Sequence, residues 1–249
     1  MKVNKVMAGA VLAALASPAA LAATNGNVGV VSNYMFRGLD VSSDGAAVQG
    51  GVDHDFGFLK GLYAGLWVSN ASIAGGNEAD VYAGYGFKLG QFNLDGGVIY
   101  YAYTEDTEAA GAKNLDYGEV YIGGSVGPAA VKVFYAPEFS ADGANPLFTP
   151  ATGNAEEDDE LLYVTASATL TLNDTISFIP QVGFSAGDGA KGAFGDEYTD
   201  FSITAIKKLK DEMSVSLAVV GSDLDDARGP GTSDNPKFVI GFKRNFKVM

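Results

Sequence analysis

The sequence predicts an all-β protein: a transmembrane, antiparallel, up-and-down β-barrel of about twelve strands behind an N-terminal signal peptide. Three observations predict it. Apolar residues alternate with small or polar ones from residue 27 to the end, giving each strand one apolar and one polar face. Most of these segments run for nine to thirteen residues, whereas strands of soluble domains average about five or six and a tilted strand needs about nine to eleven to cross a bilayer. Short and long connections alternate strictly along the chain, which is the plan of a barrel with tight turns at one end and long loops at the other.

The first element is an export signal. Lys2 and Lys5 form a basic start, Val6 to Ala16 an uncharged run of eleven, and Ala20-Leu21-Ala22 the small residues of a cleavage site after Ser17 and Pro18. Eleven apolar residues are too few to span hydrocarbon, so residues 1–22 are expected to be removed and Ala23 to begin the mature chain. No later run of eighteen apolar residues offers a membrane-spanning helix. Residues 23–249 therefore read as a single barrel domain, exported through the periplasm of a Gram-negative cell to its outer membrane.

The strands are expected near residues 27–37, 46–56, 61–70, 78–88, 91–103, 116–126, 129–137, 160–172, 174–185, 198–208, 211–221 and 236–246. The alternation is plain in Leu62, Ala64, Leu66 and Val68 against Tyr63, Gly65, Trp67 and Ser69, and in Phe238, Ile240 and Phe242 against Val239, Gly241 and Lys243. Short turns fall at 57–60, 89–90, 127–128, 173 and 209–210, and long loops at 38–45, 71–77, 104–115, 138–159, 186–197 and 222–235. By length, 138–159 is the loop best able to fold inward. Tyr34, Phe36, Phe56, Phe87, Phe92, Phe184 and Phe246 stand near strand ends on the apolar face, as aromatic girdles do at both membrane interfaces. Leu62-Tyr63-Ala64-Gly65, Val81-Tyr82-Ala83-Gly84 and Val120-Tyr121-Ile122-Gly123 repeat one pattern on three strands. Tyrosine and glycine there share the inward face, and the glycine leaves a gap that a neighbouring ring can cover.

Charge and composition exclude several classes. With 16 basic residues against 30 acidic ones, the chain repels phosphate, so nucleic acid is not a partner. No cysteine and a single histidine remove disulfide scaffolds and cysteine–histidine zinc modules. The six long loops hold 18 acidic and three basic residues, Lys113, Lys191 and Arg228. Such loops are solvated, and their carboxylates suit gathered divalent cations beside lipopolysaccharide or cationic solutes at the mouth. No spacing resembles a calcium loop, so no metal site and no cofactor is expected.

The stretches Ser32-Asn33-Tyr34-Met35-Phe36-Arg37-Gly38, Ala47-Val48-Gln49-Gly50-Gly51-Val52-Asp53 and Leu62-Tyr63-Ala64-Gly65-Leu66-Trp67-Val68-Ser69-Asn70, with Glu78, Asp80, Tyr82, Tyr85, Tyr117, Glu119 and Tyr121 beyond them, resemble the opening of the TorF-type porin family. The likeness covers most of the mature chain in order. It implies a proteobacterial outer-membrane β-barrel, assigned as a porin without a firm substrate. Members commonly finish on a terminal aromatic, the signal presented to the barrel-assembly machinery, whereas here Lys247-Val248-Met249 follow Phe246.

Twelve strands lie between the side-chain-filled barrels of about eight and the wide channels of sixteen or more, so a pore should be narrow and suited to small hydrophilic solutes. Alternation assigns Asn33, Arg37, Gln49, Asp53, Tyr63, Trp67, Asp80, Tyr82, Lys88, Asp95, Glu119, Tyr121, Lys132 and Gln181 to the pore lining. Charges of both signs there can orient polar solutes and set ion preference. The alternative is that they pair and plug a structural or adhesive barrel, Arg37 with Glu119 or Asp80 being such a pair. A barrel hydrolase needs a base, and the sole candidate, His54, falls on the apolar face near the short-turn end with no serine evident beside it. Adjacent loop acids such as Glu105/Asp106 and Asp225/Asp226 read as solvated surface. No catalytic residue is expected.

Overall fold

The computed structural model describes residues 23–71, 76–104, 116–137, 139, 159–224 and 235–249; the expected signal peptide lies outside them. Strand β1 (Ala23–Val31) leads into a small hairpin, β2 (Met35–Phe36) and β3 (Leu39–Asp40). There follow β4 (Ala47–Asp55), β5 (Leu62–Ala71), β6 (Gly76–Leu89), β7 (Phe92–Tyr103), β8 (Tyr117–Val126), β9 (Ala129–Ala136), β10 (Leu161–Ala168), β11 (Leu170–Thr171), β12 (Ile176–Ala186), helix α1 (Asp188–Phe194), β13 (Tyr198–Lys208), β14 (Met213–Ser222) and β15 (Lys237–Lys247). Each long strand pairs antiparallel with its chain neighbours, and β1 pairs with both β4 and β15. β10 and β11 form one stave interrupted at Thr169, and β10 also pairs with β12. The result is a closed antiparallel barrel of twelve staves, without a free sheet edge.

Alternation sorts the faces. Val48, Ile122 and Ile240 stand outward at 63%, 68% and 60% exposure, while Asp80, Tyr101 and Glu119 are buried inside. An apolar outer band around a polar interior inverts a soluble sandwich, whose apolar faces meet in its core. Short turns cluster at one end with both ends of the described chain, where the Val248 N–H donates to the Thr24 carbonyl. The β13–β14 turn there sets Asp211 and Glu212 at φ 58° and 57°, the left-handed pair of a tight hairpin turn whose twist matches the strands it joins.

One expectation needs correction. The first strand does not reach residue 37: its ladder ends at Val31, and residues 32–46 turn into the barrel mouth. Tyr34 and Phe36 are therefore not girdle residues. Tyr34 is buried against Trp67, and Phe36 packs on Tyr101 within the barrel. The hairpin turns inward because Arg37 and Gly38 adopt φ 48° and 81°. Gly38 is required twice over, since a Cβ there would fall 2.8 Å from Asp200 Cβ and 2.9 Å from Ser222 Cβ. The segment 138–159 was favoured by length to fold inward. All of it except Phe139 and Asp159 lies outside the described residues, and the inward turn that the structure shows belongs to the shorter loop after β1. The remaining girdle aromatics Phe87, Phe92, Phe184 and Phe246 are exposed on the outer face.

Candidate functional site: the barrel lumen

The lumen is divided lengthwise into a wall crowded with charge and one lined mainly by amides and hydroxyls, which carries Asp200 on β13 and Lys243 on β15. Strands β4 to β9 carry most of the charge. Tyr63 donates to Asp95 Oδ1 at 2.7 Å, and its hydroxyl lies 2.6 Å from that of Tyr121. Tyr82 donates to Asp53, and Tyr101 to Glu119 Oε2 at 3.0 Å. Lys132 Nζ lies 3.3 Å from Asp95 Oδ2 and 3.8 Å from the centre of the Tyr121 ring, combining an ion pair with a cation–π contact.

The tyrosine–glycine repeat builds this wall. The ring of Tyr82 lies over Gly65 on the neighbouring strand, where a Cβ would meet its Cζ at 2.3 Å. Tyr63 lies over Gly84 and Tyr121 over Gly97 in the same way, at 2.4 Å and 2.5 Å from their hydroxyls. Gly123 departs from the pattern, being covered by Lys132 instead. Each missing side chain lets a ring lie flat, which carries the Tyr63 and Tyr82 hydroxyls to Asp95 and Asp53 and the Tyr121 hydroxyl to that of Tyr63.

The hairpin crosses the mouth above this wall. Arg37 Nη2 reaches Glu119 at 2.8 Å and 2.7 Å, while its guanidinium carbon sits 4.3 Å from the centre of the Tyr163 ring. Both side chains of the pair are almost wholly buried. Tyr198 donates to the Arg37 carbonyl at 3.1 Å, and Tyr34 to Glu78 at 2.8 Å. At the outer rim Lys237 is 2.5 Å from Asp44, at the base of the hairpin loop. That ammonium group holds the exposed Asp44 carboxyl below its ordinary pKa, first by the hydrogen bond and then by its charge.

Beneath the hairpin, a cavity of about 200 Å³ remains along β1 and β12 to β15. Asn27, Gln49, Gln181, Ser202, Thr204 and Ser216 line it, with Trp67 on one side and Arg37 and Asp200 above.

Of the residues expected inside, Asp53, Tyr63, Asp80, Tyr82, Asp95, Glu119, Tyr121 and Lys132 fall together on the charged wall. Asn33, Arg37, Gln49, Trp67 and Gln181 face the cavity, although Asn33 and Arg37 reach it from the hairpin and not from a strand. Lys88 has inward parity but stands exposed near the short-turn end, one residue from the end of β6. Glu78, Tyr163, Asp200 and Lys243 also face inward, although the alternation did not assign them to the pore lining. Their parity is the signal that finds them, since Glu78 shares a face with Asp80, and Lys243 with Val239 and Gly241. His54 lies on the outer face against Phe56, its Nδ1 2.9 Å from the Thr24 hydroxyl. The acid pairs Glu105/Asp106 and Asp225/Asp226 lie outside the described residues.

A family model for bacterial proteins of unknown function matches residues 13–246. The chain belongs to that family, Gcw_chp. The comparison with curated proteins finds no match. Among solved structures, this family member is similar to the NanC porin at 12% identity and a TM-score of 0.56, over 91% of this chain and 100% of that one. It is similar to the KdgM porin at 12% identity and 0.54, over 89% and 99%. An outer-membrane channel from Pseudomonas putida F1 follows at 15% identity and 0.50, over 91% and 96%. At these identities the likeness is one of fold, and the fold is that of small outer-membrane channels.

Proposed function

We propose that this protein is an outer-membrane channel of a Gram-negative cell, through which small hydrophilic solutes pass passively. Residues 1–22 direct its export, the barrel-assembly machinery inserts it, and its acidic loops lie beside lipopolysaccharide. One observation carries the reading: a polar-lined cavity of about 200 Å³ persists beside the hairpin, inside a closed barrel whose outer band is apolar. The resemblance to TorF-type porins and the fold shared with the NanC and KdgM porins support it. The lumen replaces part of a solute's hydration with amide, hydroxyl and tyrosine groups, so no conformational work is needed for passage. The placement of His54 on the outer face supports a channel over an enzyme.

One of the KdgM structures is a complex with disordered oligogalacturonate, a polyanion. The charges here favour other solutes. Asp53, Glu78, Asp80, Asp95, Glu119 and Asp200 lie on inward-facing positions against Arg37, Lys132 and Lys243, and the long loops are strongly acidic. A negative lumen attracts cations and repels polyanions.

Planar-bilayer recording tests the proposal. Stepwise currents with a reversal potential set by the cation gradient are expected. A second reading, a plugged structural barrel, draws on the anchoring of the hairpin at Glu78 and Glu119. Persistent silence in correctly folded protein decides for the plug.

A further inference from the structure

We propose that the half of the lumen lined mainly by amides and hydroxyls is a binding subsite for a neutral, polyhydroxylated solute of monosaccharide size. The inference deepens the channel reading and names the class of solute it would select.

The division of the lumen carries the argument. Ionic groups crowd the β4–β9 wall, where tyrosines engage Asp53, Asp95 and Glu119, and Lys132 pairs with Asp95. Across from them, Asn27, Gln181, Ser202, Thr204 and Ser216 face the cavity and make no side-chain hydrogen bond to another described side chain. Gln181 and Ser202 stand directly opposite in register on β12 and β13. Amides offer donors and acceptors at once, and hydroxyls do the same on a single atom. A set of such groups matches sugar hydroxyls, which also donate and accept, and it supplies no net charge to hold an ion. Of the charged groups bordering the cavity, Arg37 pairs with Glu119 and Asp200 accepts from Tyr163, while Asp200 and Lys243 are of opposite sign and leave the border without net charge.

Size and one apolar surface complete the match. A single water needs roughly 10–15 Å³ of such space, so a cavity of about 200 Å³ admits a solute of many heavy atoms. Trp67 presents an indole to the cavity, a surface on which the C–H face of a sugar ring can rest while its hydroxyls turn to the amides.

Trp67 is the sole tryptophan of the chain, so its fluorescence reports occupancy without requiring transport. The full mature chain, folded in detergent, is titrated with D-glucose, D-gluconate and D-glucosamine, three probes of one size and different charge. A saturable change is expected for glucose, with a half-saturating concentration at least tenfold below those of the charged pair. Gln181→Leu and Thr204→Val should each raise the glucose value at least tenfold and leave the other two unchanged. The second variant stands alone if the first does not fold. Equal or tighter binding of gluconate or glucosamine overturns the proposal. So does the absence of a saturable response to glucose, or variants that bind it as the parent does. Bilayer currents without glucose binding remove the subsite and leave the channel; glucose binding with silent bilayers does the reverse.

Discussion

Arg37 is where the mouth of this barrel is decided. Its side chain bridges from the hairpin to Glu119 and stacks on Tyr163, with the carboxylate fully buried beneath it. Removing one partner of a buried pair strands the other charge, at a cost of about 3–5 kcal/mol. Arg37→Ala should therefore destabilise the folded barrel by about that amount in urea-refolding titrations, and it should raise conductance and cation preference in bilayers. Arg37→Ala/Glu119→Leu should recover most of the stability, because it removes the stranded charge as well. Gly65 makes a second residue-level case. A Cβ there meets the Tyr82 ring at 2.3 Å, and overpacking of this kind typically costs 1–3 kcal/mol. Gly65→Ala is expected to lower stability by about that much, measured by the same titration.

At the scale of the element, neighbouring residues of one strand belong to different solvents. On β14, Leu217 stands outward at 52% exposure, while Ser216 turns to the cavity. A lysine on the lipid face near mid-membrane costs about 2–4 kcal/mol, whereas a lumen substitution tunes selectivity. Leu217→Lys should thus lose about 2–4 kcal/mol on refolding into lipid vesicles, with Ser216→Lys losing far less and shifting the reversal potential toward anions. Equal losses for the two would mean that the outer face does not meet acyl chains. The same alternation made the strands legible in the sequence: eleven of the twelve staves lie within a few residues of their expected places. The first failed because Tyr34-Met35-Phe36-Arg37 continues an alternating pattern by chance of composition. Period two reports that a segment is extended, but it does not report which strands flank it.

For the molecule as a whole, the hairpin is fastened at several distant places: to Glu78 through Tyr34, to Glu119 through Arg37, to Tyr198 through the Arg37 carbonyl, and to β15 through Asp44 and Lys237. The last is exposed and open to titration. Because Lys237 depresses the Asp44 pKa in the folded state, the link is complete above the ordinary aspartate range and is lost as pH falls through the lowered value. Acidification should increase current fluctuations at the mouth, and Lys237→Gln should show those fluctuations at neutral pH with a weaker pH response. Unchanged noise in that variant would assign the hairpin's seating to Arg37 and Tyr34 alone.

The sequence by itself determined the barrel, the number of staves and the face that side chains take within the long strands, because backbone pleating converts residue parity into direction without help from distant contacts. It also narrowed which ions could meet: Glu119 and Asp80 were the candidate partners for Arg37 from their place toward the outer ends, and the structure chose Glu119. Only the tertiary structure decided that Arg37 comes from a hairpin lying across the lumen, and that most of the charges gather on one wall while a cavity stays open along the other. Those outcomes depend on contacts between residues far apart in the chain, such as Gly38 against Asp200 and Ser222. Closing the barrel brings such residues together, and no local pattern encodes which of them will touch.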